Sequence, residues 1–321
     1  MSQLLWEGLF LAILSGMMSG TFTVPMKYLG RWGWENVWSV FILVACVVMP
    51  VAVVAATVPG ALSLLHKLPG QTLGLAALTG FVWGFGAILF GQSVSAVGIS
   101  LANTLVLALG SSLGSALPLL ILDRSKVWQP QGQMILGGVA VAVVGIVFCG
   151  WAGRVRERAS SPQAAQDRGE MVGKRRPVAV ALTFCIGAGV SSGLFNIGYS
   201  FAQPIITEAQ RAGLDAFAGS NLIWLVMLEA GSVANLAFCG WLLVKNHTLR
   251  HFTEARSGRR YGLCILMGLL WGGSIFTYGA ASPKGLSNNK CNKLNHSVVY
   301  SGHGRRGAYP RQIWFVVGLS G

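Results

Sequence analysis

Long apolar segments, separated by shorter polar connections, run through the first 281 residues of the chain. Each is about 20 residues or longer, the length an α-helix needs to cross the hydrocarbon core of a bilayer. Polar and apolar positions do not alternate within them, as they would in the strands of a membrane barrel. The pattern predicts eight membrane-spanning helices, near residues 4–26, 37–58, 72–94, 97–122, 134–152, 177–202, 218–244 and 261–281.

Two of these segments carry the same motif, G-x-x-W-G-x-x-x-x-x-[F/Y]-G, which starts at Gly80 and again at Gly268. A second shared motif, G-x-x-S-G-x-F, starts at Gly16 and at Gly189. The two motifs keep their order and tryptophan is a rare residue. An internal duplication is therefore favoured over chance agreement between glycine-rich helices.

The duplication predicts the domain organisation. Residues 1–153 form a first repeat of five helices, residues 154–176 a basic cytoplasmic linker, and residues 177–282 an incomplete second repeat of three helices. Because five is odd, the second unit enters the membrane with the opposite polarity. The predicted fold class is an all-α polytopic membrane protein, an inverted-repeat helical bundle on a five-plus-five plan with eight spans present and a central site.

The composition changes abruptly after Ser282. Residues 283–321 hold six basic residues and no acidic one, and their longest apolar run, 313–319, is too short to span a bilayer. We expect a disordered or irregular polar tail that is foreign to the ancestral fold, produced by a frameshift or assembly error near codon 282 or by truncation of the gene product. The alternative is a genuine soluble tail.

Charge and cysteine usage narrow the class further. Charged residues make up 11% of the chain, far below the quarter or so typical of soluble domains, although the net charge is +14. Seven bases lie in 154–176 and five in 245–260, which indicates cytoplasmic loops and an outside N-terminus rather than a nucleic-acid surface. Five of the six cysteines lie in apolar segments without a C-x-x-C pair, so neither disulfides nor a metal site is expected.

The connection after the first segment carries the most specific motif. A P-x-K at residues 25–27 leads into W-x-W-E-x-x-W-S at residues 32–39. With W-G-x-G at residues 83–86 and A-G-x-x-x-E-R at residues 152–158, it resembles the L-rhamnose–proton symporters of the drug/metabolite transporter superfamily. The resemblance covers about residues 8–281. It implies ten helices in the bacterial inner membrane, a sugar substrate and proton coupling; counterparts of spans nine and ten are absent from this sequence.

A sugar carrier needs an aromatic face, hydrogen-bonding groups and a group that binds a proton. Trp83 and Trp271 can stack on a sugar from either side, or merely pack against glycines. Glu229 is the only acid deep in a predicted span, and is our candidate for proton coupling; a structural hydrogen bond is the alternative. Polar candidates, each of which can instead hydrogen-bond between helices, are Ser19, Thr23, Gln92, Asn103, Ser192, Asn196, Asn221 and Asn235.

The remaining residues of note receive structural interpretations. Trp32, Trp34 and Trp38 are expected in an aromatic belt at the membrane interface. Glu35 is expected to pair with Lys27 or Arg31 in the same connection.

The leading hypothesis is a proton-driven sugar symporter, with a small sugar, protons and the lipid bilayer as partners and no cofactor. Its alternatives are an exporter of metabolites or drugs and a non-transporting membrane remnant or scaffold. The chain contains no P-loop, H-E-x-x-H or G-x-S-x-G motif, so an enzyme is not expected.

Overall fold

The computed structural model describes residues 3–30, 32–97, 99–122, 124–159, 178–254 and 257–285. The secondary structure in these ranges is helical. Most of the predicted linker and tail, residues 160–177 and 286–321, lies outside the described residues. The α-helices are α1 (Gln3–Thr21), α2 (Trp34–Ile42), α3 (Met49–Thr57), α4 (Ala61–His66), α5 (Gly70–Val97), α6 (Ile99–Leu122), α7 (Pro130–Ala159), α8 (Val178–Phe201), α9 (Gln203–Arg211), α10 (Ala216–Lys245) and α11 (Ser257–Gly285).

Six helical segments are long and apolar enough to cross a membrane. In α6 and α7, the described residues provide the shorter apolar stretches Leu101–Gly114 and Gly132–Gly145. The prediction of a helical membrane bundle is confirmed to this extent, and the count of eight spans stays a prediction. The six spans are Trp6–Tyr28, Trp34–Thr57, Gly70–Val94, Val180–Arg211, Ala216–Lys245 and Ser257–Ala281.

The outer surface of the bundle is apolar, as lipid requires. Phe10 and Met17 of α1, Phe85 of α5 and Phe148 of α7 each expose more than half of their surface. In water, such a patch would be an aggregation hazard, whereas hydrocarbon solvates it. The exposed side chains therefore agree with the apolar length of the helices.

The second span changes helical geometry in its middle. A π-helical stretch, Leu43–Val48, joins α2 to α3, and Pro50 lies at the start of α3. Proline lacks an N–H, and its ring clashes with the carbonyl group four residues earlier, here that of Cys46. The wider π-helical turn relieves this clash, so Pro50 accounts for the irregular backbone.

The helix α7 extends further than the sequence predicted. It continues to Ala159, six residues into the segment assigned to the polar linker from residue 154. Arginine and glutamate, which occupy most of these positions, are good helix formers even in water. Polarity alone therefore did not mark the end of this helix.

The helices pack around α5, α8 and α10. Helix α8 lies against both α5 and α6, α5 also packs against α10, and α1 packs against α11. The α5–α10 contact is close because glycines line it. A Cβ atom at Gly80 would overlap the carbonyl oxygen of Met227, and one at Gly84 would overlap that of Gly231.

Candidate functional site

The two tryptophans of the repeated motif contact each other at the centre of the bundle. The rings of Trp83 on α5 and Trp271 on α11 stack with centroids 5.5 Å apart and an angle of 14°. Only 3% and 4% of their surfaces are exposed. No sugar ring fits between them in this conformation, so the two faces predicted to enclose a sugar cover each other.

The glycines of the repeated motif make equivalent contacts in its two copies. Gly80 and Gly84 let α5 approach α10. In the second copy, a Cβ at Gly268 would come within 2.6 Å of Val44, and one at Gly272 within 2.7 Å of Met49. These glycines let α11 approach the second span. Small residues bring membrane helices together in this way, so packing is one role of the motif.

Aromatic side chains extend from the tryptophan pair in both directions. Phe195 of α8 lies 5.0 Å from Trp83, and Phe41 of α2 lies 5.9 Å from Trp271, between ring centroids. Phe195 also stacks on Trp224 at 5.8 Å, as Phe41 does on Phe22 at 5.4 Å. The result is a continuous buried aromatic column contributed by five helices and by Phe22 of the connection after α1.

Asn235 is placed as an interhelical tie. Its Oδ1 accepts a hydrogen bond from Trp38 Nε1 at 3.0 Å, and its Nδ2 donates to the carbonyl oxygens of Gly84 at 2.9 Å and Gly231 at 3.0 Å. The side chain is fully buried. It connects α2, α5 and α10, which is the structural alternative that the sequence left open. Asn221 likewise links α10 to α3, through Thr57 Oγ1 at 3.0 Å.

Ser19, Thr23 and Asn103 are buried polar residues of α1, its following connection and α6. Asn103 Nδ2 donates to Thr23 Oγ1 at 3.3 Å. Ser19 Oγ and Asn103 Oδ1 are buried without a partner in the structure. Buried polar atoms normally have partners, and seven other described side-chain atoms, among them Trp224 Nε1 and Asn221 Oδ1, are buried without one as well.

The other polar candidates are divided between α5 and α8. Gln92 is half-buried on α5, and Ser192 is buried on α8. Asn196 Nδ2 donates to the carbonyl oxygen of Ser192 at 3.1 Å, within its own helix. Asn196 also lies against Gly114 of α6.

Glu229 lies half-buried in the middle of α10. No described side chain donates a hydrogen bond to its carboxylate. It interacts electrostatically with the thiol of Cys46, which belongs to the π-helical stretch of the second span. Such stretches often occur at functional sites. The structure thus brings the predicted coupling acid to the irregular part of the second span.

Glu35 is the carboxylate that the structure buries most deeply among the described residues, with 6% exposed. Its Oε1 accepts hydrogen bonds from Asn246 Nδ2 at 3.0 Å and Thr248 Oγ1 at 2.8 Å. The predicted pairing with Lys27 is wrong, because the carboxylate turns toward the connection after α10; Arg31 lies outside the described residues. The W-x-W-E motif drew attention to Glu35, but its partners are more than 200 residues away.

The predicted aromatic belt is wrong for Trp32 and Trp38, which expose only 3% and 1% of their surfaces. Trp32 packs against Phe252 and Tyr261, with centroids 5.4 Å and 5.0 Å away. Trp38 is held by Asn235. Partners contributed by α10 and α11 and by the connection between them bury rings that the local sequence placed at the interface.

Residues 1–286 match the L-rhamnose-proton symport protein (RhaT) family. The chain belongs to this family. The match covers most of the chain and ends four residues beyond Ser282, where the composition changes. The resemblance drawn from the W-x-W-E-x-x-W-S motif is confirmed. The protein is thus a multi-pass membrane transporter of a family that moves sugar together with protons, and not of an enzyme family.

Individual members of the RhaT family are distant from this chain. The L-rhamnose-proton symporters of Klebsiella pneumoniae and Escherichia coli are each 27% identical over 289 residues, which cover 87% of this chain and 80% of each relative. That of Pectobacterium atrosepticum is 26% identical over 245 residues, 74% of this chain and 67% of the relative. No solved structure matches the chain.

Proposed function

We propose that this protein is a secondary transporter that moves L-rhamnose or a similar small sugar across the bacterial inner membrane by proton symport. Family membership supports the mode of transport. The observation that carries the choice of a sugar is the stacked pair of Trp83 and Trp271, surrounded by helices that bury unpartnered polar atoms at Ser19 and Asn103. Sugars bind through apolar ring faces and hydroxyl groups, and these residues supply partners for both.

The proposed binding step separates the two tryptophans. A sugar ring would replace one indole on the face of the other, and its hydroxyls would use Ser19, Asn103 and neighbouring polar groups among Gln92, Ser192 and Asn196. In this proposal Asn235 positions α2, α5 and α10 and does not leave its three hydrogen bonds. The structure then corresponds to a state without sugar, closed over its aromatic column.

Alternating access in an inverted repeat is the proposed mechanism. The proposed repeat pairs α1 with α8, the second span with α10, and α5 with α11. When the two members of each pair are exchanged, the main helix contacts are converted into one another. This exchange maps the α5–α8 contact onto α1–α11 and the α5–α10 contact onto that of α11 with the second span. It also maps Trp83 onto Trp271, which are in contact. These equivalences support an axis through the tryptophan pair.

One helix face lacks its counterpart among the described residues. Gly193 of α8 packs against α6, where a Cβ would meet Leu113 at 2.9 Å. Its equivalent in the repeat, Gly20 of α1, has no atom within 4 Å of the position of a Cβ. In the proposed repeat, this face of α1 is the place for a helix equivalent to α6.

Uptake of labelled L-rhamnose into membrane vesicles tests the function. A proton gradient should drive accumulation by the wild-type chain, and a protonophore should abolish it. Trp83→Leu and Trp271→Leu should each raise the KM about threefold to tenfold, because one aromatic contact contributes about 0.5–1.5 kcal/mol beyond its buried area.

Trp128→Leu is the matched control for these variants, since Trp128 is 83% exposed and should leave the KM unchanged. An unchanged KM in both core variants, at normal protein levels, would remove the tryptophans from the site. Gradient-driven efflux without uptake would identify an exporter instead, and no movement in either direction would favour a scaffold.

Glu229 is the proposed coupling residue. Glu229→Gln should lower pH-driven accumulation of sugar by about tenfold or more, while exchange of labelled for unlabelled sugar persists, because exchange needs no net proton movement. Glu208→Gln is the control, since Glu208 pairs with Arg211 on α9. Equal loss of accumulation and exchange in Glu229→Gln would assign the residue a structural role.

Orientation completes the proposal. The basic connections at 154–176 and 245–260 place those ends of the helices in the cytoplasm and the N-terminus outside. The connection between α1 and α2, with Lys27, falls on the same side. We call this end of the bundle the basic face.

A further inference from the structure

The second span is hydrogen-bonded at both of its ends. At one end its partner is α10, and at the other it is the connection after α10. At the end opposite the basic face, Asn221 Nδ2 near the start of α10 donates to Thr57 Oγ1 at the end of α3. At the basic face, Glu35 at the start of α2 accepts from Asn246 and Thr248 after α10. The first tie joins two neutral groups, whereas the second contains a carboxylate.

The backbone on both sides of this junction is shaped to allow the hydrogen bonds of Glu35. The two positions concerned are Gly33 and His247. Gly33 leaves room for the carboxylate, since a Cβ there would lie 2.9 Å from Glu35 Oε1. Between the two donors, His247 has a φ of 56°, the one positive φ of a non-glycine residue in the described ranges. A left-handed residue costs free energy and persists where surrounding contacts stabilise it. Here it lies between two residues whose side chains both reach Glu35.

A neighbouring bond reinforces the same junction. Asn36 Nδ2 donates to the carbonyl oxygen of Thr248 at 3.0 Å, and Asn36 is fully buried. The first turn of α2 is thus attached to the connection directly after α10 by three hydrogen bonds. Separation of these helices at the basic face, which opening to that side requires, must break all three.

The described partners of the Glu35 carboxylate are the two neutral donors, and its position in the first turn of α2 also favours a negative charge. Cys239 of α10 is the titratable group that interacts with it electrostatically. Lys245 instead lies over the ring of Trp241 at 4.4 Å, and Arg260 and His251 approach Glu254. The other charged or titratable groups of the adjoining described segments are Lys27, His247, Arg250 and Arg259.

We propose that Glu35, Asn246 and Thr248 form a latch that keeps the basic face closed while Glu35 is ionised, and that proton binding to Glu35 releases it. Hydrogen bonds to a charged acceptor are roughly twice as strong as those between neutral groups. Protonation removes this charge and thereby weakens both hydrogen bonds that Oε1 accepts. The hydrogen bond between Asn221 and Thr57 at the opposite end contains no ionisable group, so protonation of Glu35 does not weaken it directly.

The inference deepens the proposed symport and rests on it for its biological meaning. In a symporter, the form loaded with proton and sugar must open to the cytoplasm. A latch at the basic face that opens on protonation lets the proton-loaded form open to the cytoplasm. When the proton leaves, the latch closes again. It assigns Glu35 to the control of opening, separately from the proposed role of Glu229 in accumulation.

Cys239 provides a native reporter of this opening. It is fully buried, and its thiol lies beside Ser39, one helical turn into α2 from Glu35. In a chain whose other five cysteines are replaced by alanine, Glu35→Gln should raise the rate of Cys239 alkylation by N-ethylmaleimide about tenfold. Glu254→Gln, in the same connection but paired with Arg260, should leave the rate unchanged.

The charge of Glu35 also acts on the Cys239 thiol, so the pH dependence is interpreted together with Thr248→Val, which keeps that charge. Because thiolate reactivity itself varies with pH, the wild-type rate is divided by the Glu35→Gln rate at each pH. This ratio should rise toward one as the pH falls. Thr248→Val, which removes a donor and keeps the charge, should also raise labelling, and provides a second test if Glu35→Gln does not fold.

Several outcomes would overturn the latch: unchanged labelling in Glu35→Gln or in Thr248→Val, an equal increase in Glu254→Gln, or a ratio that does not vary with pH. The labelling needs no sugar, so these results are distinguishable from a failure of the symport proposal. A protein that shows the latch but accumulates no sugar would instead refute the proposed function alone.

Discussion

Replacement of Gly80 by valine is expected to abolish the folded bundle. A Cβ at this position overlaps the carbonyl oxygen of Met227, and the carbonyl oxygen of Gly80 itself lies 2.8 Å from where a Cβ of Gly231 would be. A backbone group cannot move aside as a flexible side chain does. Relief therefore requires α5 and α10 to separate, which would disrupt the contacts of Trp83 and Asn235. Overpacking typically costs about 1–3 kcal/mol, and we expect the upper end of this range or more.

Gly74→Val is the matched control, since Gly74 lies on the same helix and has no atom within 4 Å of the position of a Cβ. The measurement is the yield and thermal stability of monodisperse protein in detergent. Wild-type yield and stability of Gly80→Val would show that α5 and α10 do not meet as closely as described. An equal loss in Gly74→Val would attribute the effect to valine in α5 rather than to the contact.

Asn235→Ala is expected to destabilise the protein by about 2–4 kcal/mol, the second-largest effect. The substitution removes the acceptor of Trp38 Nε1 and leaves this donor buried, with the desolvation cost of about 1–3 kcal/mol unmatched. It also removes the donor to the carbonyl oxygens of Gly84 and Gly231, and creates a small cavity. Thermal unfolding in detergent measures the loss.

A double-mutant cycle with Trp38→Phe isolates the indole–amide bond. Trp38→Phe removes the donor, so the combined variant should lose less stability than the sum of the two single variants, by about 1 kcal/mol. Strict additivity would mean that the bond contributes nothing. The cycle also separates the positioning role of Asn235 from sugar binding, because the measurement requires no sugar.

Local sequence predicted the elements of the fold well. Apolar length set the helices, since each must satisfy its own backbone hydrogen bonds within the bilayer. The sequence also shows a proline at residue 50 and polar residues after residue 153. It did not predict how each of these features changes the local helix. The π-helical stretch arose where Pro50 met a span that continues, and α7 extended to Ala159 because arginine and glutamate sustain a helix.

The repeated motif predicted a duplication, but it did not predict which helices its residues contact. G-x-x-W-G indicated a duplication and offered two roles for its tryptophan, sugar stacking or packing. The structure shows its glycines at close helix contacts and its two tryptophans against each other, 188 residues apart in the chain. The sequence contained no information on this pairing, because periodicity describes the face of one helix and not the helix it meets.

The sequence by itself determined that this chain is a helical membrane protein and which family it resembles, since these depend on local apolar length and short motifs. Only the tertiary structure decided which polar groups are satisfied. It gave Asn235 three partners and attached Glu35 to Asn246 and Thr248 instead of Lys27. A buried carboxylate takes whichever donors the packing of distant helices brings within about 3 Å, and that packing depends on the whole bundle.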